Sequence, residues 1–207
     1  MAANLSRRLA MVLFLVTLIS LCGCLGRSQP TRFYLLQPIT ASPPGAPAAG
    51  KVEDIRIGVG PITLPEYVDR PQIVTLVGPH ELDLAEFDQW SEPLKDSVPR
   101  TLGENLSALL FTQHIYLYPW TGSANIDYQI EVDITRFDAS LGGDAVLNAR
   151  WTILAGNSQE ILLRKNSAIT QEAGGIGYEA LVAAESRVLE QLSREIAASI
   201  KSIASGK

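Results

Sequence analysis

Thiols, imidazoles and aromatic rings are scarce in this chain of 207 residues, which has two Cys, two His and only 7% Phe, Trp and Tyr. That scarcity removes whole classes of chemistry. Neither His80 nor His114 has an acid or thiol at ligand spacing, so no metal site is expected. There is no Gly-x-Ser-x-Gly elbow and no Ser-x-x-Lys pair to activate a hydrolytic nucleophile. Gly58-Val59-Gly60 follows a strand pattern, but Pro61 and more extended chain come next where a phosphate cradle needs a helix N-terminus. No cofactor and no enzymatic activity are expected. Basic clusters are missing too, and acids outnumber bases 22 to 17. Nucleic acid is therefore excluded as a partner.

Acids are also missing from the start of the chain, where none precedes Glu53. Arg7 and Arg8 form a short positive region, and Leu9 to Leu21 are almost wholly apolar. As a helix that run covers roughly 20 Å, too short for a hydrocarbon core of about 30 Å. It reads as the apolar region of an export signal. Leu21-Cys22-Gly23-Cys24 resembles a bacterial lipobox, with Leu at −3 and a small residue at −1 before the modified cysteine. Cys24 is the expected lipidation site, since Cys22 would have the bulky Leu21 at −1. Acylation then provides the two or more chains that stable anchoring requires. Leu25 follows the cysteine where enterobacterial inner-membrane retention uses Asp, so an outer-membrane anchor facing the periplasm is expected. The mature chain keeps no free thiol and no disulfide. Losing Arg7 and Arg8 takes its formal charge from −5 to −7.

The expected organisation is a signal peptide over 1–23, a lipidated tether over 24–31 and one domain over 32–204. The seven residues after Cys24 reach about 25 Å at most, so the domain stays close to its own membrane. Within the domain, Arg32 to Leu36 reads as a strand, and 38–50 as a mobile loop rich in Pro and Ala. Val52 to Val59 reads as a strand stopped at Gly60-Pro61. Gln72–Val77 and Glu81–Leu84 read as a hairpin around Gly78-Pro79. Leu94, Val98, Leu102, Leu106 and Leu110 recur at helical spacing, and Pro99 predicts either a kink or a start with Ser97 as cap. Ile115 to Tyr118 is a short strand. Alternation along Tyr128–Ile134 and Ala145–Ile153 predicts two half-buried strands of a meander, with Glu160–Thr170 as the third. Asp127, Gln129, Glu131 and Asp133 fall on the wet face. Tyr178–Ile203 is an amphipathic helix, with Leu181, Val188, Leu192, Ile196 and Ile200 inward and Glu185, Arg187, Glu190, Arg194 and Lys201 outward. The fold class is α+β: a mixed, mainly antiparallel sheet with two main helices packed on it. Trp151 belongs to the core; Trp90 and Trp120, beside prolines, suit either core or interface.

Pro61-Ile-Thr-Leu-Pro-Glu-Tyr-Val-Asp-Arg-Pro-Gln-Ile-Val74, Trp90-Ser-Glu-Pro-Leu94 and Tyr118-Pro-Trp120 together resemble the ABC-type transport auxiliary lipoproteins, the PqiC-like family. Phe33-Tyr-Leu-Leu36 and Leu192-Ser-Arg-Glu-Ile-Ala197 are similar as well, while Gln89 stands where the family often has a basic residue. The resemblance implies a non-enzymatic outer-membrane component that docks a periplasmic MCE-domain protein of an intermembrane lipid transport system, with a ring of copies as a candidate assembly. Residues 67–74 read either as a turn in which Arg70 pairs with Asp69 or Glu66, or as a docking loop. In the second reading Tyr67, Arg70 and Trp90 are the expected contacts, because such side chains dominate interface energies. The rival expectation is a lipoprotein that assembles or plugs an outer-membrane barrel.

Overall fold

The computed structural model describes Arg7, Met11 and residues 29–39, 55–120, 125–156 and 158–206. The export signal, Cys24, most of the tether and the Pro/Ala-rich loop beyond Ile39 lie outside the described residues.

The strands are β1 (Arg32–Tyr34), β2 (Ile57–Thr63), β3 (Gln72–Gly78), β4 (Glu81–Trp90), β5 (Ile115–Leu117), β6 (Tyr128–Ala139), β7 (Asp144–Ala155) and β8 (Ile161–Glu172). The helices are α1 (Leu94–Leu110) and α2 (Tyr178–Ser205). All eight strands join one mixed sheet, and residues Thr31–Lys207 form a single unit. Its longest ladders are antiparallel: β6 with β7, and β7 with β8. Parallel pairing joins β1 to β4, and β2 to both β5 and β6. The helices touch each other, with α1 over β2 and β5 and α2 over β6, β7 and β8. Val98, Leu102 and Leu106 of α1 meet Leu189, Leu192 and Ile196 of α2 in the same core as Ile130, Trp151 and Ile153 of the sheet. This is the expected α+β class. Among the described residues, no helix is long and apolar enough to cross a membrane.

Several local expectations need correction. β2 does not stop at Gly60-Pro61; it runs on to Thr63, and a register shift between Val59 and Ile62 absorbs the proline. Helix α1 neither starts nor is capped at Ser97. It begins at Leu94 and carries Pro99 inside its second turn, while the Ser97 hydroxyl is buried without a partner. The acceptor that Pro99 cannot serve is the Lys95 carbonyl, and Lys95 is exposed, so water can satisfy it. In β6 the alternation holds from Tyr128 to Ile134. A shift between Ile134 and Arg136 then turns Phe137 into the core. Gln129 is buried rather than wet, because its amide donates to the Gly60 carbonyl at 3.1 Å and accepts from Gln159 at 2.9 Å. Glu185 is also inside, only 3% exposed. Helix α2 packs against both the sheet and its neighbour α1, so its buried arc is wider than one apolar stripe.

The remaining acids of the wet face have local partners. Asp127 pairs with Arg56 at 3.2 Å, and Asp133 accepts from Thr63 at 2.7 Å and lies 3.8 Å from Arg150. At the entry to the domain, Arg32 and Tyr34 of β1 both bind the buried Asp88 carboxylate of β4, at 2.8 and 2.7 Å. The chain then crosses both helices: the Gln37 amide donates to Ser186 of α2 and the Ile39 amide to Asn105 of α1. Asn105 in turn donates to Ser193, which ties the helices together.

Candidate docking site

One edge of β6 lies wholly against β7, while its other edge is shared. Thr63 at the end of β2 stands beside Asp133, and Thr75 in β3 stands beside Ala139. Twelve residues of chain thus bridge six residues of β6, and the surplus is thrown out as the turn at 64–71. Two prolines frame that turn, and the Val68 amide closes it on the Pro65 carbonyl at 3.2 Å. The Arg70 amide then bonds the Val68 carbonyl at 2.8 Å.

Tyr67 fastens this excursion to the sheet. Its phenol donates to Asp138 Oδ2 at 2.7 Å, and Asp138 also receives the Arg136 guanidinium at 2.9 Å. Burial, and then the hydrogen bond to the carboxylate, push the Tyr67 phenol up to about 12. The bond to Asp138 likewise raises Arg136. Behind them, Glu185 of α2 is raised well above the usual carboxylate range, first by burial and then by the charge of Asp138. Asp138 therefore links the turn on the surface to the inner side of α2.

Arg70 forms no ion pair with Asp69 or Glu66 among the described residues, and its Nε is buried without a hydrogen-bond partner. The local-pairing version of the turn does not occur. Trp90 is a second correction. It is 6% exposed, in the core beside Leu94, and cannot be a surface contact. Trp151 is fully buried as expected, its indole N–H donating to Ser167 at 2.9 Å. Trp120 is half-buried and meets Tyr118 edge-on at 5.5 Å.

Sequence patterning misses the apolar wall of the site. The β3–β4 hairpin leaves Val77, Leu82 and Leu84 exposed at 59%, 42% and 44%. Leu76 pairs with Leu82 and Val74 with Leu84, so Leu82 and Leu84 share one face of the hairpin. A concave surface of about 680 Å³ lies between this face and Tyr67, Arg136 and Asp138. A hairpin with apolar residues on adjacent strands gives the only signal, and it cannot say which face lacks a cover. No group of three or more His, Cys, Asp or Glu with metal-binding geometry occurs among the described residues. Tyr67, Arg136 and Asp138 hold one another, and the lining around them mixes apolar Leu76, Pro79 and Leu82 with polar His80, Glu81, Thr135 and Asn148. Such a site suits protein contact better than chemistry on a substrate.

The fold is α+β, and the turn at 64–71 is braced beside a hairpin with exposed leucines. The model of the ABC-type transport auxiliary lipoprotein component family matches residues 34–197, and the chain belongs to that family. It is therefore a lipoprotein of the cell envelope that serves a transport system. No curated protein matches it significantly. Two crystal structures share the fold. One is a protein from Xanthomonas campestris with 17% identity and a TM-score of 0.68, the match covering 85% of this chain and 97% of that one. The other is an uncharacterized protein with 18% identity and a TM-score of 0.66, covering 83% and 99%.

Proposed function

We propose that this protein is anchored through lipidated Cys24 in the outer membrane, faces the periplasm, and docks an MCE-domain protein of an intermembrane lipid transport system. The family match over residues 34–197 carries the reading. The expected tether supports it, since a reach of about 25 Å requires the partner to come to this domain. The role is that of a non-enzymatic accessory. Tyr67, Arg70, Leu82 and Leu84 form the proposed contact surface: a turn held rigid by Asp138 beside exposed leucines. Aromatic and Arg side chains set in an apolar surround are the usual anchors of an interface.

The test is a pull-down of the MCE protein by wild type, Arg70→Ala and Leu82→Ser/Leu84→Ser, with folding checked by circular dichroism. Loss of binding by the folded variants is the expected result. Undiminished binding by both removes the turn and hairpin as contacts. Failure of wild type to bind removes the MCE partner, and co-purification with an outer-membrane barrel in its place installs the assembly role. Palmitate labelling that survives Cys24→Ala removes the anchor.

A further inference from the structure

The sheet ends on one side in β8, a strand of 12 residues that, among the described residues, pairs with no strand but β7. The Ala173 amide bonds the Gly143 carbonyl at 3.0 Å, so odd-numbered residues from 163 to 173 turn their backbone groups toward β7. Even-numbered residues therefore turn theirs outward. The Glu172 carbonyl confirms the direction: it accepts from the Arg187 guanidinium at 2.6 Å, not from β7.

Side chains divide in the same way. Lys165 reaches Ser199 at 3.2 Å and Ser167 reaches Glu195 at 2.5 Å, so odd positions face α2. Arg164, Asn166, Ala168, Thr170 and Glu172 all face solvent. A long strand with an open ladder is a template for another strand, and edges are commonly blunted with charge to prevent indiscriminate pairing. Here the two charges on the open face have opposite sign and lie at opposite ends. Arg164 touches only Thr152, at 3.4 Å, and Glu172 makes no side-chain ion pair among the described residues.

We propose that β8 pairs antiparallel with β8 of a second copy, about a twofold axis at Ala168. Outward backbone groups must meet outward groups, so even residues pair with even residues. Among such registers, centring on Ala168 places Arg164 opposite Glu172 of the partner copy, twice, and Asn166 opposite Thr170. Opposite charges directly across a ladder stabilise it and like charges destabilise it. The Arg187 contact leaves room for the ladder, because a carbonyl oxygen has a second lone pair. A twofold pairing closes at two copies, unlike a ring. It is independent of the docking surface on the β3–β4 hairpin. The contact is small, so the dimer is concentration-dependent in solution and favoured where anchored copies share one membrane.

Sedimentation of the full chain in detergent, at rising concentration, is expected to show a monomer–dimer equilibrium. Arg164→Glu sets acid against acid and shifts the chain to monomer. Glu172→Arg does the same, and the double variant Arg164→Glu/Glu172→Arg restores the dimer. Ala168→Cys is expected to form a disulfide between copies on oxidation, as Cα atoms of a hydrogen-bonded antiparallel pair lie about 5.5 Å apart. A monomer at millimolar concentration overturns the proposal. So does a dimer or larger ring that survives Arg164→Glu, or a double variant that stays monomeric with native circular dichroism.

Discussion

The two ends of the sheet are built on different terms. At one end β6, β7 and β8 share ladders of eleven paired positions each, with α2 covering one face. At the other, the β3–β4 hairpin pairs with the short β1 at its outer edge, meets β6 through a single registered pair, Thr75 with Ala139, and shows leucine to solvent. The first end carries stability. The second is held by fewer core side chains, Ile73, Ala85 and Trp90, and by the Tyr67–Asp138–Arg136 contacts at the turn, and it keeps exposed leucines free. A lipoprotein serving a larger assembly needs both: a body that stays folded alone and a face left for its partner.

The largest expected effect falls on the meander end. Leu192 is fully buried where α2 meets α1 and the sheet, so Leu192→Asp places an unpaired charge in the core and the domain unfolds. A thermal melt equal to wild type would put that face outside. Glu185→Gln is next, and it raises stability. The neutral acid is what the buried site accepts, so its contribution is complete below the ordinary glutamate pKa and is lost as pH rises through the higher folded value. Denaturant titrations from acid to neutral pH are expected to show wild type losing stability upward and Glu185→Gln losing less. Parallel curves would mean that Glu185 charges freely.

Effects at the hairpin end are smaller and local. Asp138→Ala strands the Tyr67 hydroxyl and frees Arg136, at about 1–3 kcal/mol. Hydrogen exchange is expected to quicken at 64–78 before it quickens in β7. Uniform quickening would merge the two ends into one cooperative unit. Smallest of all, Leu82→Ser should change stability by no more than about 0.5 kcal/mol, because the side chain is exposed. A loss of several kcal/mol in chemical unfolding would show that the hairpin is core.

Legibility in the sequence follows the same divide. Tyr128–Ile134, Ala145–Ile153 and the stripe of α2 were readable because one face of each meets a continuous apolar layer, which imposes a clean period. Glu185 was misplaced because a helix packed on two sides buries positions that a single stripe leaves wet. Gln129 was misplaced because a polar side chain bonded to Gly60 and Gln159 can sit inside at little cost. Periodicity also could not show β2 continuing past Pro61, since its register shift depends on β6, some seventy residues away. Of the candidate site, the motif points to Tyr67 and Arg70. Trp90 was misassigned, since tryptophan suits core and interface equally. Asp138, the acceptor that holds the turn, lay hidden beyond the break in alternation of β6.

The clamp of Arg32 and Tyr34 on Asp88 has a mechanical meaning. Under the proposed anchoring through Cys24, the domain would feel every tug of a partner at its N-terminus. Tension entering at Arg32 meets an ion pair and a phenol bound to one buried carboxylate, and beyond them the Gln37 and Ile39 amides fixed to α2 and α1. Pulling therefore loads the interior of the body, spread over a strand and two helices. Anchored in that way, the chain would be moored amidships, and a partner could haul on it without unravelling the end to which the rope is tied.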